Sequence, residues 1–276
     1  MYCNFLDYRR KPIYIFFTHY RMQFSITLGV LNMKKVPLLV ALATCFLASP
    51  VWSDSFTVGV EATDYMPIYK GDGSNYTGYA KELLDGFASK NGHTFTYVRL
   101  PVARLFDEFV VKKSLDFKFP DNAYWAKEIK KDAKISYSRG VVSVTEGLMV
   151  LPANKGKGNV SRIALVRGFT PFLYMDQIRD KKIAANEVNA PDAGISMVEA
   201  GRVDGVYLSV IVANYLMTDV LKKPGVLVFD DKLPNSKSDF SLSSIARPEV
   251  IKQFDEYLVK EKDTVDKLKA KYKIVE

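Results

Sequence analysis

The chain has 276 residues, 48% hydrophobic, 25% charged and 13% aromatic, with a formal net charge of +8. That balance excludes a disordered chain, which is poorer in apolar residues, and an integral membrane bundle, which is poorer in charge. The length allows one large domain or two small ones, and the positive charge points to nucleic acid only until its position along the chain is considered.

Met33-Lys34-Lys35 precedes an apolar run from Val36 to Leu47 and then Ala48-Ser49-Pro50-Val51-Trp52-Ser53. A short basic segment, a short apolar core and small residues three and one positions before a cut make a secretory signal peptide at 33–53, with Asp54 as the mature N-terminus. The run is too short for a membrane span of about 20 residues. Residues 1–32 are rich in aromatics without steady periodicity, and they read as an upstream extension ahead of a start at Met33. Both cysteines, Cys3 and Cys45, lie before Asp54, so disulfide, thiol and cysteine-metal chemistry are not expected in the remainder. Leu42-Ala43-Thr44-Cys45 is a near miss for a lipid-attachment signal, with Thr44 where a smaller residue is usual. Residues 54–276 carry 33 basic and 30 acidic side chains, about +3, so the charge argument for nucleic acid falls away.

In those 223 residues strands and helices alternate. Phe56–Val60 reads as a buried strand. Tyr79–Lys90 reads as a helix, with Ala80, Leu83, Leu84, Phe87 and Ala88 on one face and Asn91-Gly92 as its stop. Thr94–Leu100 is a strand, Pro101 opens a helix with Val102, Leu105, Phe106, Phe109 and Val110 inward, and Leu115–Phe119 is a third strand. The second half repeats the rhythm: strand Ile163–Val166, helix Pro171–Arg179, strand Lys182–Val188, helix Pro191–Ala200 stopped by Gly201, strand Asp204–Leu208 and helix Ser209–Leu221. Strands at Val226–Phe229 and Phe240–Ile245 precede a helical tail from Pro248 to about Tyr272. Two such rounds, divided by a loop at Pro152–Asn159, predict two α/β lobes with mostly parallel sheets.

The chemistry scan is sparse. Residues 54–276 hold one histidine, His93, at a strand edge where a structural role is the simple reading. There is no metal-hydrolase helix, nucleophile elbow, P-loop or dinucleotide fingerprint, and no cofactor or metal is expected. Gly71-Asp72-Gly73 and Gly156-Lys157-Gly158 read as turns.

Five segments resemble, in order, the family 3 extracellular solute-binding proteins of polar amino-acid transport. These are Phe56-Thr57-Val58-Gly59-Val60 with Asp64-Tyr65-Met66-Pro67; Gly78-Tyr79 leading into Ala80–Leu84; Lys113-Ser114-Leu115-Asp116; Ile135-Ser136-Tyr137-Ser138; and Glu199-Ala200-Gly201-Arg202-Val203-Asp204-Gly205. The resemblance implies a periplasmic binding protein type II fold: two lobes (54–138 plus 234–276, and 139–233) joined by two hinge strands, with a ligand trapped between them. It also implies a monomer in the periplasm that captures a small polar or anionic solute and delivers it to the membrane permease of an ABC transporter. Presenting the closed form to a membrane sensor is an alternative, and a dehydratase-like enzyme on the same scaffold is a second. The enzyme would need an acid/base pair, and Asp64, Asp121 and Glu61 are paired by no motif. The family's usual zwitterion clamps are missing: 119–128 holds no arginine, and Tyr207-Leu208-Ser209 holds no acid.

Ten residues are candidates for the ligand site. Asp64, Tyr65 and Tyr69 follow the first strand, where open α/β sheets bind ligands; Tyr65 is a stacking platform or a core-edge aromatic. Arg104 resembles the arginine of a Pro-Trp-x-Arg motif in the family and offers a bidentate fork, or is a surface arginine. Asp121, Asn122 and Trp125 suit a polar cyclic or cationic ligand, or form an Asx turn with packing. Arg167 and Thr170 flank a glycine between strand and helix, an anion site or a plain turn. Tyr207 either lines the cleft or fills the second core.

Overall fold

The computed structural model describes residues 54–71 and 75–275. The expected leader 33–53, the upstream segment 1–32, Cys45 and the turn residues Asp72 and Gly73 lie outside them.

Strand β1 (Ser55–Glu61) buries Phe56, Val58 and Val60 and is flanked in parallel by β4 (Thr94–Leu100) and β5 (Phe117–Asp121). Helix α1 (Tyr79–Lys90) covers this sheet with the predicted face, Leu83, Leu84 and Phe87 being fully buried. Between β1 and α1 sits a two-residue hairpin, β2 (Asp64–Tyr65) with β3 (Tyr69–Lys70). Helix α2 (Val102–Phe106) follows Pro101 and continues as a wider π turn over Asp107–Val111. The short α3 (Lys127–Lys130) and the two-residue β6 (Ser136–Tyr137) complete this half.

The second half contains β7 (Val142–Val150), β8 (Arg162–Val166), α4 (Met175–Arg179), β9 (Ala184–Val188), α5 (Pro191–Glu199), β10 (Gly205–Ser209), α6 (Val210–Tyr215, prolonged as a π turn to Val220) and β11 (Val228–Phe229). Strands β10, β8 and β9 are parallel, and β7 runs antiparallel to β10. The long strand β12 (Ser236–Ser244) then joins both halves: its first part pairs with β7, its last part with β5 and β6. The order across the molecule is β4-β1-β5-β12-β7-β10-β8-β9. Helices α7 (Pro248–Lys260) and α8 (Lys262–Lys271) return to pack on α1.

Two stretches of backbone therefore cross between the sheets side by side. The Ser138 amide donates to Leu242 O at 2.8 Å, and the Val141 amide to Phe240 O at 2.8 Å. Gly140 permits this approach, since a β-carbon there would lie 2.8 Å from Asp239 Cβ. The fold is the two-lobed α/β architecture expected from the sequence.

The differences in detail have local causes. Strand β7 was not foreseen. Strand β12 extends four residues before the expected Phe240 because Ser236–Asp239, polar enough to read as loop, completes a ladder with β7. Strand β5 starts two residues late because Asp116 is engaged by the Thr57 amide and hydroxyl, both at 2.9 Å. Only Met175–Arg179 of the expected Pro171–Arg179 helix is helical; a turn closed by the Tyr174 amide on Pro171 O aims the Tyr174 ring into the core. The C-terminal helix is broken at Glu261.

Phe87 is fully buried and meets Phe254 and Tyr257 of α7 at ring-centroid distances of 5.0 and 5.6 Å. Phe87→Ala is expected to lower unfolding free energy by about 3–5 kcal/mol, the usual cost of a buried phenylalanine cavity. Urea denaturation of the two proteins measures it, and a loss below about 1 kcal/mol would show that α7 is not anchored there.

Candidate functional site

A cavity opens where the two sheets face each other. From the first come Glu61 at the end of β1, Tyr65 and Tyr69 of the hairpin, Val102 and Phe106 of α2, and Trp125 after β5. Opposite stand Glu146 of β7, the loop 168–170 and Tyr207 of β10, with Phe240 of β12 at the crossing. The space open to the centre of a water molecule is about 20 Å³. That is enough for roughly one water, so a larger guest requires the sides to part.

Contacts across the cavity are specific. The Ser209 amide donates to Tyr65 Oη at 3.1 Å, bridging the second sheet to the hairpin of the first. Tyr65 stacks on Tyr69 at 5.4 Å and meets the Phe169 ring edge-on, also at 5.4 Å. Phe169 packs against all three apolar cores of the molecule. Gly168 has φ +88°, and a β-carbon on it would lie 2.8 Å from Val102 Cβ. Glycine is thus required there twice, for the left-handed backbone and for the close approach to α2.

Two carboxylates are buried in this wall: Glu61 is 2% exposed and Glu146 is 4% exposed. Tyr69 Oη donates to Glu61 Oε2. Burial raises the Glu61 carboxyl above its ordinary range, against the opposing pull of Lys118 and the Tyr69 hydroxyl. Burial pushes Glu146 up to about 7, opposed by the Ser238 hydroxyl and aided by the Glu61 charge. Among the described residues Glu146 Oε2 is buried without a hydrogen-bond partner, and the buried Tyr207 hydroxyl has the Ser236 hydroxyl as its neighbour without a well-formed bond to it. Such groups cost about 1–3 kcal/mol each when left unmade. Among the described residues neither glutamate has an ion-pair partner.

Five of the expected site residues meet at this cavity: Tyr65, Tyr69, Trp125, Thr170 and Tyr207. The other five do not line it. Asp64 is spent on Lys70 at 2.6 Å. Asp121 is fully buried in a separate network, accepting from Lys130 Nζ at 2.6 Å and Ser243 Oγ at 2.7 Å, with Lys118 Nζ at 3.6 Å. Asn122 Oδ1 caps the Tyr124 and Trp125 amides at 2.9 and 3.2 Å, the expected Asx turn. The side chains of Arg104 and Arg167 are each 65% exposed, with Arg104 Nε 3.7 Å from Glu108 and Arg167 Nε 2.9 Å from Glu187. The two forks expected to bind an anion therefore point to solvent and to carboxylates.

Sequence reasoning missed Glu146, Phe106, Phe169 and Phe240, and weighed Glu61 only as a candidate acid. An available signal was a charged residue placed within or at the end of an otherwise uncharged strand, as both glutamates are. Among the described residues no cluster of three metal-ligating side chains occurs, and no helix is long and apolar enough to cross a membrane.

No family model matches the chain, and no curated protein matches it. Solved structures do. The Bordetella pertussis BvgS VFT2 domain (double mutant F375E/Q461E) is 17% identical with a TM-score of 0.62, covering 79% of this chain and 93% of that one. The GluR0 ligand-binding core from Nostoc punctiforme in complex with L-glutamate is 13% identical at a TM-score of 0.63, covering 79% and 98%. An arginine 3rd transport system periplasmic binding protein from Legionella pneumophila is 14% identical at a TM-score of 0.59, covering 80% and 100%. At these identities the likeness establishes a shared fold, that of the two-lobed periplasmic binding protein type II domains.

A carboxyl raised from its ordinary value near 4.5 to about 7 binds its proton more tightly in the folded than in the unfolded chain. Its contribution to stability is therefore full below about 4.5 and is lost as pH rises through about 7. Relative to Glu146→Gln, the native protein is expected to lose about 3 kcal/mol between pH 4 and pH 8. Chemical denaturation of both proteins across that range checks it; parallel pH curves would mean that Glu146 titrates alike in the folded and unfolded chain.

Proposed function

We propose that this chain is a periplasmic solute-binding protein, with lobes 54–138 plus 234–276 and 139–233 closing on a small solute. One observation carries the reading: a cavity walled from both sheets holds a buried carboxylate oxygen, Glu146 Oε2, that has no hydrogen-bond partner among the described residues. A guest that satisfies it stabilises the closed arrangement over the open one, and differential affinity of that kind is what drives domain closure. The two backbone crossings at 138–141 and 240–242 would serve as the hinge.

Delivery to an ABC transporter is the leading role, supported by likeness in fold to the Legionella transport protein. Likeness to the BvgS domain supports the second role, presentation of the closed form to a membrane signalling partner. Co-purification with a permease rather than a sensor separates them.

A thermal-shift panel of amino acids, amines, organic anions and sugars tests the reading. A true ligand at a hundred times its Kd adds about 2.7 kcal/mol, equivalent to roughly 5–11 °C in Tm for a chain of this size. Gly168→Val should hold the loop away from Val102, widen the molecule in small-angle scattering and weaken the ligand at least ~10-fold, the effect of about 1.4 kcal/mol. A Gly168→Val protein that binds as tightly as the native one would place the site elsewhere.

A further inference from the structure

We infer that the solute is an organic cation, an ammonium compound without a carboxylate, held by Glu146 against the aromatic wall of the cavity. The inference rests on the reading of this cavity as the ligand site and specifies what it takes. Buried ionisable groups near the cavity do not balance within the protein. Lys118 and Lys130 supply two positive charges; Asp121, in contact with both, and Glu61, which feels the Lys118 charge, supply two negative ones. Glu146 is the remainder. It is 4% exposed, and among the described residues one of its oxygens has no partner and no lysine, arginine or histidine lines the space it faces. An isolated buried carboxylate is among the least tolerable groups in a protein interior, and a cation or a proton relieves it.

The rest of the wall fits a cation as well. Tyr65, Tyr69, Phe106, Trp125, Phe169 and Phe240 surround the cavity, and aromatic rings attract ammonium groups electrostatically. Phe106 already displays that chemistry, with Lys118 Nζ 4.2 Å from its ring centroid. A zwitterionic amino acid fits poorly, because its carboxylate would enter beside Glu61 and Glu146 with no guanidinium to meet it. Arg104 and Arg167, the forks that could have done so, lie outside the cavity.

The experiment is calorimetric titration and thermal shift of the purified protein with methylammonium, ethanolamine and choline. Acetate, inorganic phosphate, L-alanine and L-glutamate are the opposing arm. The cations are expected to bind and raise Tm, and the anions and zwitterions are not. Glu146→Gln should weaken the bound cation about 100-fold, the loss typical of a buried charge left without its partner, while Arg104→Ala changes its Kd less than twofold. Because Gln removes an unpaired charge, the variant should fold at least as stably as the native protein. If anions or zwitterions bind and cations do not, the cation assignment is wrong and the solute-binding reading stands. Cations that bind Glu146→Gln unchanged also overturn the assignment. Failure of every cation overturns the cation assignment, and failure of the whole panel, sugars included, to move Tm overturns both.

Discussion

The arrangement of the molecule depends on a short two-stranded ribbon in which 138–141 runs antiparallel to 240–242. Amides and carbonyls exchanged across that ribbon are the only place where, among the described residues, backbone passes between the two sheets. Because β12 belongs to both sheets, each is anchored to the other by main-chain hydrogen bonds. Those bonds do not depend on side-chain identity beyond the glycine at 140. The Tyr79 hydroxyl, donating to Val141 O at 2.8 Å, ties the ribbon to the helix layer of the first half. The crossing joins the two sheets side by side, with the cavity between them.

That space gains its chemistry from two glutamates on different sheets. Glu61 ends a parallel strand of the first, and Glu146 lies within an antiparallel strand of the second. Both are stripped of solvent where the two halves meet, and among the described residues one oxygen of Glu146 has no hydrogen-bond partner. Under the proposed closure this is an electrostatic cost of the closed form, which an open cleft with water at both acids would not carry. Tyr65, accepting from the Ser209 amide, and Phe169, packed on three cores, supply the opposing attraction. Under the proposed closure, a solute with modest differential affinity would decide between the open and closed arrangements.

The parallel strands and the helices over them were legible because their apolar spacing is strong and local. The face of α1 with Leu83, Leu84 and Phe87, and the stop at Asn91-Gly92, appear where periodicity places them. The fold also brings the aromatic candidates together: Tyr65, Tyr69, Trp125 and Tyr207 share one cavity. Charged candidates did so less well, because a charged side chain has two uses that sequence does not separate. Asp121 and Asp64 are consumed by lysines, and Arg104 and Arg167 by glutamates beside them on the surface. Strand β12 was half hidden because its ladder with β7 uses backbone groups, which any polar stretch possesses.

By itself the amino-acid sequence determined the alternation of strand and helix, the two-round organisation and the apolar faces, since these follow from interactions between residues a few positions apart. Tertiary structure alone decided which acids are buried, which arginines are left in water and which aromatic rings surround the same cavity. Those outcomes depend on desolvation and on contacts that only the fold creates, such as Ser243 on Asp121 and the Ser209 amide on Tyr65, and neither is written in the local pattern.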